Sequence, residues 1–330
     1  MSRDCRRIIP FGARFPRWAC LLGVVFGGLM LSSSQAITIN GFVVDDTAVP
    51  VEHFVRAAPA KDSIKSIDAP VFVAARDCDF LEEDDELFSI TIGGVTRAYP
   101  LRVLVWHEVV NDQIRDQAVA MTYSALTGSG VAFDPGENAD GTPRQFGVSG
   151  VLYNSCLLFY DRATESLWSQ LKMMGVSKDF VEEPLGQIPT RRMTWGAWSD
   201  LYPNGEVLSI KTGMENDYRG EWPYGDYADQ KETIFPFDIS PDRNEFETKE
   251  RMIGMVEGWA ARAWPLEALK DRKQLFDAIG ARPIQVTYNE KTDDVVITDI
   301  TNGEELAHVS VFWFAWQAFY PDSSVWRPLR

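Results

Sequence analysis

His107 and Glu108 are adjacent side chains that could do acid–base chemistry, in the stretch WHEVVND at residues 106–112. His107 is one of 3 histidines in the 330 residues. An imidazole beside a carboxylate can act as a general base or bind a metal ion. On a helix, Asn111 would share a face with His107. We therefore expect His107 and Glu108 to be catalytic; the alternative is a histidine at a helix end that bonds the backbone.

Four hydroxyl groups lie close together in the stretch VAMTYSALTGSGVAFD, on Tyr123, Ser124, Thr127 and Ser129. Alternating apolar residues predict two strands, and the glycines predict the turn between them. The turn lacks the Gly-x-Ser-x-Gly pattern of a serine nucleophile and the Gly-Lys-Ser/Thr pattern of a phosphate-binding loop. We expect Tyr123, Ser124 and Thr127 to bind a ligand rather than to attack a substrate.

Further polar residues interrupt the apolar stretch FGVSGVLYNSCLLFYDR. Asn154 belongs to a Tyr-Asn-Ser triplet inside an expected strand, and Asp161 and Arg162 lie where the chain is expected to turn. An amide, a carboxylate and a guanidinium can each hold a polar ligand group. We expect all three to contribute to ligand binding. For Asp161 and Arg162, a local ion pair at the turn with Glu165 is the alternative.

Cys78 and Cys156 are the two cysteines that follow the first 36 residues. If they are bridged, the disulfide closes a long loop and stabilises the fold by about 4 kcal/mol in the chain-entropy model. Sequence separation says nothing about distance in space, so two free thiols are the alternative. No His-x-x-x-His, Cys-x-x-Cys or calcium-loop pattern occurs, and no metal site is predicted.

Two ordered pairs of motifs indicate an internal duplication. GGVTRAYPL (93–101) matches GWAARAWPL (258–266), and WGAWSDLYPNGEV (195–207) matches WFAWQAFYPDSSV (313–325). Chance explains two ordered matches poorly, so we predict a duplicated unit. Each unit is expected to contain a strand, a short helix, a hairpin and a tryptophan-rich helical turn. The predicted fold is α+β and β-rich, with two related halves that form one compact domain.

The motif spacing sets the boundaries of the halves. Half one covers about 86–210 and half two about 250–325. Half one is longer mainly because of an extra hairpin at 144–171. The segment 213–249, rich in Gly, Pro and Tyr, is expected to form a lid or binding loop, or to link the halves. Since function often resides in what one copy has and the other lacks, the extra hairpin and its neighbour 119–134 mark the expected site.

Residues 1–36 have the composition of a secretory signal peptide, with arginines, an apolar run and a small-residue cleavage pattern. An uncleaved anchor is the alternative. Residues 37–64 would then form an N-terminal extension. The remaining chain carries 27 basic and 47 acidic residues, a net charge of −20. Such a surface repels nucleic acid and anionic lipid, so we expect no nucleic-acid partner and no membrane contact after cleavage.

Three stretches resemble the DUF3179 domain family of bacterial and archaeal proteins: TRAYPLRVLVWHEVVND, FGVSGVLYNSCLLFYDRATESLWSQL and PYGDY. The resemblance covers residues 65–325 and implies one domain over that range. Because the family's function is unknown, it implies no reaction.

One departure from the family concerns the hydroxyl-rich turn. The family's usual sequence after Thr-Tyr is Cys-Pro-Leu, then Cys or Thr, then Gly, whereas this chain has Ser-Ala-Leu-Thr-Gly from Ser124 onward. If the family's activity needs a thiol at that first position, this chain lacks it. Cys156 could supply a relocated thiol if the two hairpins are adjacent.

We therefore expect a protein secreted into the periplasm that binds, or converts, a small molecule in a pocket of half one. One alternative is a non-catalytic binding or scaffold protein whose cysteine site has decayed. Another is a metal or redox protein that uses Cys78 and Cys156. No motif assigns a cofactor, a protein partner or an oligomeric state.

Overall fold

Short runs of apolar and β-branched residues, separated by Gly, Asn and Asp turns, make this protein rich in strands. The computed structural model describes residues 36–235, 237 and 239–327. The predicted signal peptide, except for its last residue, lies outside the described residues.

The strands, in chain order, are β1 (Thr38–Ile39), β2 (Phe42–Val43), β3 (Phe54–Arg56), β4 (Phe72–Ala74), β5 (Glu86–Ile92), β6 (Val95–Pro100), β7 (Val109–Ile114), β8 (Gln117–Ser124), β9 (Ser129–Asp134), β10 (Phe146–Tyr153), β11 (Cys156–Asp161), β12 (Leu167–Ser169), β13 (Met174–Gly175), β14 (Gly186–Ile188), β15 (Arg191–Thr194), β16 (Glu206–Leu208), β17 (Arg251–Glu257), β18 (Ala260–Pro265), β19 (Gln274–Ile279), β20 (Arg282–Asn289), β21 (Asp294–Asp299), β22 (Glu305–Leu306), β23 (Val309–Phe312) and β24 (Ser324–Val325). The helices are α1 (Leu101–His107), α2 (Trp195–Leu201), α3 (Leu266–Arg272) and α4 (Trp313–Phe319), and short 3₁₀ turns form at Val51–His53, Ala75–Asp77, Lys178–Phe180 and Tyr227–Asp229.

Five sheets of four or five strands form a propeller-like arrangement. Their strand orders are β15-β5-β6-β16-β4, β14-β9-β8-β7, β13-β12-β11-β10-β3, β23-β17-β18-β24 and β19-β20-β21-β22. A small sheet pairs β1 with β2. The prediction of a compact, β-rich fold with few helices is confirmed.

The two predicted halves have the same order of elements. From β5 to β9, each element of half one recurs in half two 165 residues later, as β5 at Glu86–Ile92 and β17 at Arg251–Glu257 illustrate. The closing strand and helix, β15 and α2, recur 118 residues later as β23 and α4. The sheet orders β15-β5-β6-β16 and β23-β17-β18-β24 are correspondingly alike.

The extra hairpin of half one belongs to a complete sheet. Strands β10 and β11 form the hairpin, β12 and β13 extend it on one side, and β3 pairs with β10 on the other, with Val151 opposite Arg56. The predicted N-terminal extension therefore supplies a strand to the body of the fold.

The Tyr-Asn-Ser triplet forms a tight turn and does not interrupt a strand, which corrects that expectation. Asn154 and Ser155 have φ values of 47° and 60°, and they join β10 to β11 with Tyr153 opposite Cys156. Positive φ at both central residues is the geometry of a type I′ hairpin turn, which asparagine tolerates well.

Helix α1 ends before Asn111, so it is too short to place His107 and Asn111 on a common helical face. It follows Pro100 and buries Leu101 and Leu104, but it ends at His107, where Glu108 takes a left-handed conformation with φ 58°. The β-branched residues that follow favour a strand. Asn111 consequently lies in β7, so the predicted common helical face of His107 and Asn111 is wrong.

One hydrophobic core cluster contains side chains from both halves, among them Phe133 of half one and Trp316 of half two. The backbone N–H of Phe312 also donates to the carbonyl of Thr127 at 2.9 Å. The turn between β8 and β9 therefore packs directly against half two.

Candidate functional site

A cavity of about 290 Å³ lies where the β8–β9 turn meets the first strand of half two. We call it the tyrosine cleft. Its aromatic walls are Tyr123, Trp222, Tyr224, Tyr227 and Phe312, and its principal charged residues are Asp85, Glu86, Arg102, Arg192 and Arg251. Both halves line it, whereas we expected a pocket in half one alone. A small concave site with aromatic walls and a few polar groups is typical of ligand binding.

The segment 213–249 supplies one wall of the tyrosine cleft. Tyr227 is buried, and its hydroxyl donates to the carbonyl of Leu126 at 3.0 Å. The Lys249 ammonium lies 3.3 Å from the centroid of the Tyr227 ring, a favourable cation–π geometry. These contacts hold the loop against the end of the β8–β9 hairpin.

Two phenol groups face the cleft without an internal partner. Among the described residues, neither the Tyr123 hydroxyl nor the Tyr224 hydroxyl makes a hydrogen bond. Burial raises the pKa of both phenols, so they remain protonated donors at neutral pH. The predicted ligand-binding residue Tyr123 thus lines a cavity.

Three charged side chains, those of Glu86, Arg192 and Arg251, line one part of the cleft. Arg192 forms a two-point ion pair with Glu86, at 2.7 and 2.5 Å, and also donates to the Gly128 carbonyl at 3.0 Å. Burial alone would raise the pKa of Glu86, but the Arg192 guanidinium outweighs it and lowers the pKa to about 2. Glu86, Arg192 and Arg251 also line a neighbouring cavity of about 230 Å³.

Glu108 is close to this cleft, and its carboxyl group has a raised pKa. Its backbone carbonyl accepts from the Tyr123 N–H at 2.7 Å. When the Glu108 carboxyl group is ionised, its charge raises the pKa of the Tyr224 phenol. Burial raises the pKa of Glu108 to about 8. No hydrogen bond or ion pair to its carboxyl group occurs within the part of the chain that the structure describes. A carboxyl group that stays protonated near neutral pH can donate a proton.

His107, by contrast, has both ring nitrogens occupied. Nδ1–H donates to the Lys65 carbonyl at 2.6 Å, which leaves Nε2 to accept from the Tyr218 hydroxyl at 2.6 Å. Burial lowers the pKa of His107, so the ring is neutral. This geometry matches the alternative of a helix-end histidine bonded to the backbone, and it gives no support to a catalytic role.

Ser124 and Thr127 lie beneath the cleft in a buried polar network with Ser129, Gln170 and Cys156. Ser129 donates to the Gln170 side chain at 2.7 Å, and the Cys156 thiol lies 3.3 Å from the same Gln170 oxygen. The two hairpins are therefore adjacent, as a relocated thiol would require. Burial raises the pKa of Cys156 to about 12, however, so the thiol is protonated and a weak nucleophile.

Asn154, Asp161 and Arg162 lie away from the tyrosine cleft. Asn154 lies 3.0 Å from His53 Nδ1 at the β10–β11 turn, and Asp161 accepts from Thr164 within its own turn. Arg162 lines a larger open cleft of about 760 Å³. There it pairs with two aspartates, Asp62 and Asp68, rather than with Asp161 or Glu165. These three residues therefore have structural partners of their own.

The candidate disulfide is absent: Cys78 and Cys156 are both free thiols. Cys156 is buried in the shared core cluster, whereas Cys78 packs against a different cluster beside β4. The two hydrophobic clusters keep the sulfurs apart.

Glu86, Arg192 and Arg251 belong to none of the motifs from which the site was predicted. The repeat could have drawn attention to them, because Glu86 and Arg251 occupy equivalent positions in β5 and β17 yet carry opposite charges. Tyr224 and Tyr227 fell within the segment marked as a lid or binding loop, without being singled out.

Within the described residues, no group of three or more His, Cys, Asp or Glu side chains could hold a metal ion. Nor does any helix in that part of the chain have the length and apolar character needed to cross a membrane.

Comparison with known proteins gives one match. The family described as "Protein of unknown function (DUF3179)" matches residues 61–307, which is most of the chain. No curated protein and no solved structure matches. The matched range includes β5 to β9 and the strands that supply Glu86, Tyr123, Arg192 and Arg251. The chain therefore belongs to the DUF3179 family.

Proposed function

We propose that this protein binds a small molecule in the tyrosine cleft. The observation that carries the proposal is an aromatic-walled cavity of about 290 Å³ with two phenol donors that have no partner among the described residues. A phenol O–H that lines a cavity and has no protein partner is free to donate to a ligand, which favours a ligand that accepts from it.

Acid–base catalysis is the second candidate, and Glu108 is the observation that favours it. Its carboxyl group has a pKa of about 8 and is near enough to affect the Tyr224 phenol, and its backbone carbonyl bonds the N–H of Tyr123. A general acid works best when its pKa is close to the operating pH. Turnover would require a bound substrate, so this candidate depends on the first.

A scaffold protein with a decayed cysteine site remains the alternative class. Ser124 stands where the family usually has cysteine, and it lies beside Cys156 in the buried network. If the site has decayed, Ser124→Cys should restore thiol reactivity or metal binding, with Ser155→Cys as the control at another buried serine. Unchanged reactivity in Ser124→Cys would argue against the alternative.

We also propose that the two halves arose by duplication and that the protein is secreted into the periplasm. The constant spacing between β5–β9 and β17–β21 supports the first proposal. The arginine-rich and apolar composition of residues 1–36 supports the second. N-terminal sequencing of protein recovered from the periplasm tests secretion; a chain that still begins at Met1 would contradict cleavage.

A cleft-filling variant tests binding. Ala228 is exposed and lines the tyrosine cleft, whereas Ala163 is exposed and lines the larger open cleft. With fragments screened by ligand-observed NMR, we expect Ala228→Trp to weaken binding by about tenfold or more, since that corresponds to about 1.4 kcal/mol of lost contact. Ala163→Trp should leave binding unchanged. If no fragment binds, or if only Ala163→Trp weakens binding, the proposal is wrong.

A further inference from the structure

Arg251 is a partly buried cation that lines the tyrosine cleft and has no ion-pair partner among the described residues. Its Nη1 donates to the Gly128 carbonyl and to the Ser310 hydroxyl, both at 3.3 Å, and its guanidinium lies over the Phe312 ring, 5.2 Å from the centroid. Among the described residues, Nε and Nη2 donate no hydrogen bond, and no carboxylate lies within ion-pair distance of Arg251.

At the equivalent position in half one, the corresponding residue forms an ion pair, which Arg251 does not. Glu86 corresponds to Arg251, and Arg192 corresponds to Ser310, because the same strands recur in the second half. In half one the pair is an ion pair at 2.5 Å; in half two it is an arginine beside a serine. The charged residues that line both cavities are therefore two arginines and one glutamate, and only Arg192 is paired with that glutamate.

The other acidic groups around the cavities are engaged elsewhere or exposed. Asp85 pairs with Arg102 at 2.6 Å, and Glu267 pairs with Lys270 at 3.1 Å. Asp293 accepts from the Tyr288 hydroxyl at 2.7 Å and lies 3.7 Å from the Lys270 ammonium, and its charge also acts on Arg251. Asp84 is solvent-exposed. Burial and the neighbouring Arg192 lower the pKa of Arg251 to about 10, which still leaves it charged at neutral pH. Because no carboxylate among the described residues contacts Arg251 directly, its unpaired N–H groups can hold an anionic ligand.

We propose that the ligand of the tyrosine cleft is a small carboxylic acid whose carboxylate pairs with the free Nε and Nη2 of Arg251. This inference rests on the proposed function. A guanidinium offers two parallel N–H groups that match a carboxylate. The single unpaired guanidinium of Arg251 suits one carboxylate, and the Tyr123 and Tyr224 rings provide a surface for an apolar or aromatic body.

Matched acids and amides test the charge requirement on the full chain. The probes are acetate, benzoate and phenylacetate, their three amides and inorganic phosphate, each titrated by calorimetry. We expect at least one acid to bind about tenfold more tightly than its amide, and more tightly than phosphate. Arg251→Gln should abolish that preference. Arg282→Gln, which removes an arginine paired with Glu257 at 2.8 Å outside both cavities, should keep it.

Each outcome separates this inference from the proposed function. Equal binding of acids and amides, or a preference that survives Arg251→Gln, overturns the carboxylate inference and leaves the cleft as a binding site. Tighter binding of phosphate also overturns it. Absence of binding by all the acids and amides contradicts both.

A second variant guards against misfolding of Arg251→Gln. Arg251→Lys keeps the charge but replaces the planar pair of donors with a single ammonium group, so the acid preference should fall while the fold is retained. An undiminished preference in Arg251→Lys would overturn the two-point geometry.

Discussion

Burial determines the chemistry of the three residues that the sequence marks as reactive. It raises the pKa of Glu108 to about 8 and that of Cys156 to about 12, and it lowers the pKa of His107. Low-dielectric surroundings disfavour the charged form of each group. All three are therefore mainly uncharged at pH 7, and Glu108 differs from His107 because its side chain has no hydrogen-bond partner among the described residues.

Glu108 should make stability fall as pH rises. Its pKa is raised from the ordinary 4.5 to about 8 in the folded state, so the folded protein binds the proton more tightly than the unfolded chain. The stabilisation is complete below pH 4.5 and is lost as the pH rises to 8, at up to about 1.4 kcal/mol per unit. Glu108→Gln should remove this dependence in urea unfolding between pH 5 and 9.

The control for this experiment is Glu215→Gln, because Glu215 is exposed and forms no ion pair in the described structure. It should retain the wild-type dependence on pH. A Glu108→Gln protein whose stability still declines like wild type over the same range would contradict the raised pKa.

Cys156 should resist alkylation in the folded protein. Its thiol is fully buried and protonated, whereas Cys78 is half-buried. With iodoacetamide and peptide mapping by mass spectrometry, we expect Cys78 to be labelled first and Cys156 only after unfolding in urea. Labelling of Cys156 at the rate of Cys78 would mean that the network opens, and would revive the redox alternative.

At the scale of elements, the turn between β8 and β9 joins the hairpin of half one to half two. Gly128 ends this turn with φ +63°, and an added Cβ would lie 2.8 Å from the Phe312 ring. Its carbonyl accepts from both Arg192 and Arg251. The turn therefore sets the position of two cleft walls as well as linking two strands.

Gly128→Ala should be more destabilising than a glycine substitution in an open turn. A left-handed conformation costs a non-glycine residue about 1–2 kcal/mol, and overpacking against Phe312 should add about 1–3 kcal/mol. Gly94→Ala is the matched control, since Gly94 has φ +79° but nothing near its Cβ position. Urea unfolding measures both; equal losses would show that the Phe312 contact relaxes without cost.

In the whole molecule, the two halves are held together by an ion pair, a backbone hydrogen bond and a shared hydrophobic core. Arg191 of β15 pairs with Glu305 of half two at 2.5 Å, and β23 bonds the Thr127 carbonyl of half one. The shared core cluster has members in both halves. A further cluster of buried residues lies within half two, but the shared cluster joins the halves, so the two should unfold together.

Calorimetry tests this cooperativity. We expect one thermal transition for the full chain, with equal calorimetric and van't Hoff enthalpies. Arg191→Gln should lower the midpoint while keeping a single transition, and Arg219→Gln, which removes an exposed ion pair with Asp79, should change it little. Two resolved transitions in the wild type would contradict a common core.

Local sequence patterns predict the elements and the repetition of their order. Alternating apolar residues predicted the hairpins at 119–134 and 284–299, and the paired motifs predicted two halves with the same element order. These signals are local, because side-chain alternation, turn residues and prolines act over a few residues. The end of α1 escaped prediction because the helical and strand patterns overlap around Glu108.

The identity of the residues that form the cleft depends on tertiary packing. Arg192 and Arg251 both bond the carbonyl of Gly128, although they are far from it in sequence. Whether an arginine has an acidic partner, and whether a histidine has a free nitrogen, depends on such distant neighbours. Spacing along the chain does not reveal these neighbours. For this reason the sequence pointed to His107 and not to Arg251, although His107 has both ring nitrogens bonded and Arg251 has no ion-pair partner among the described residues.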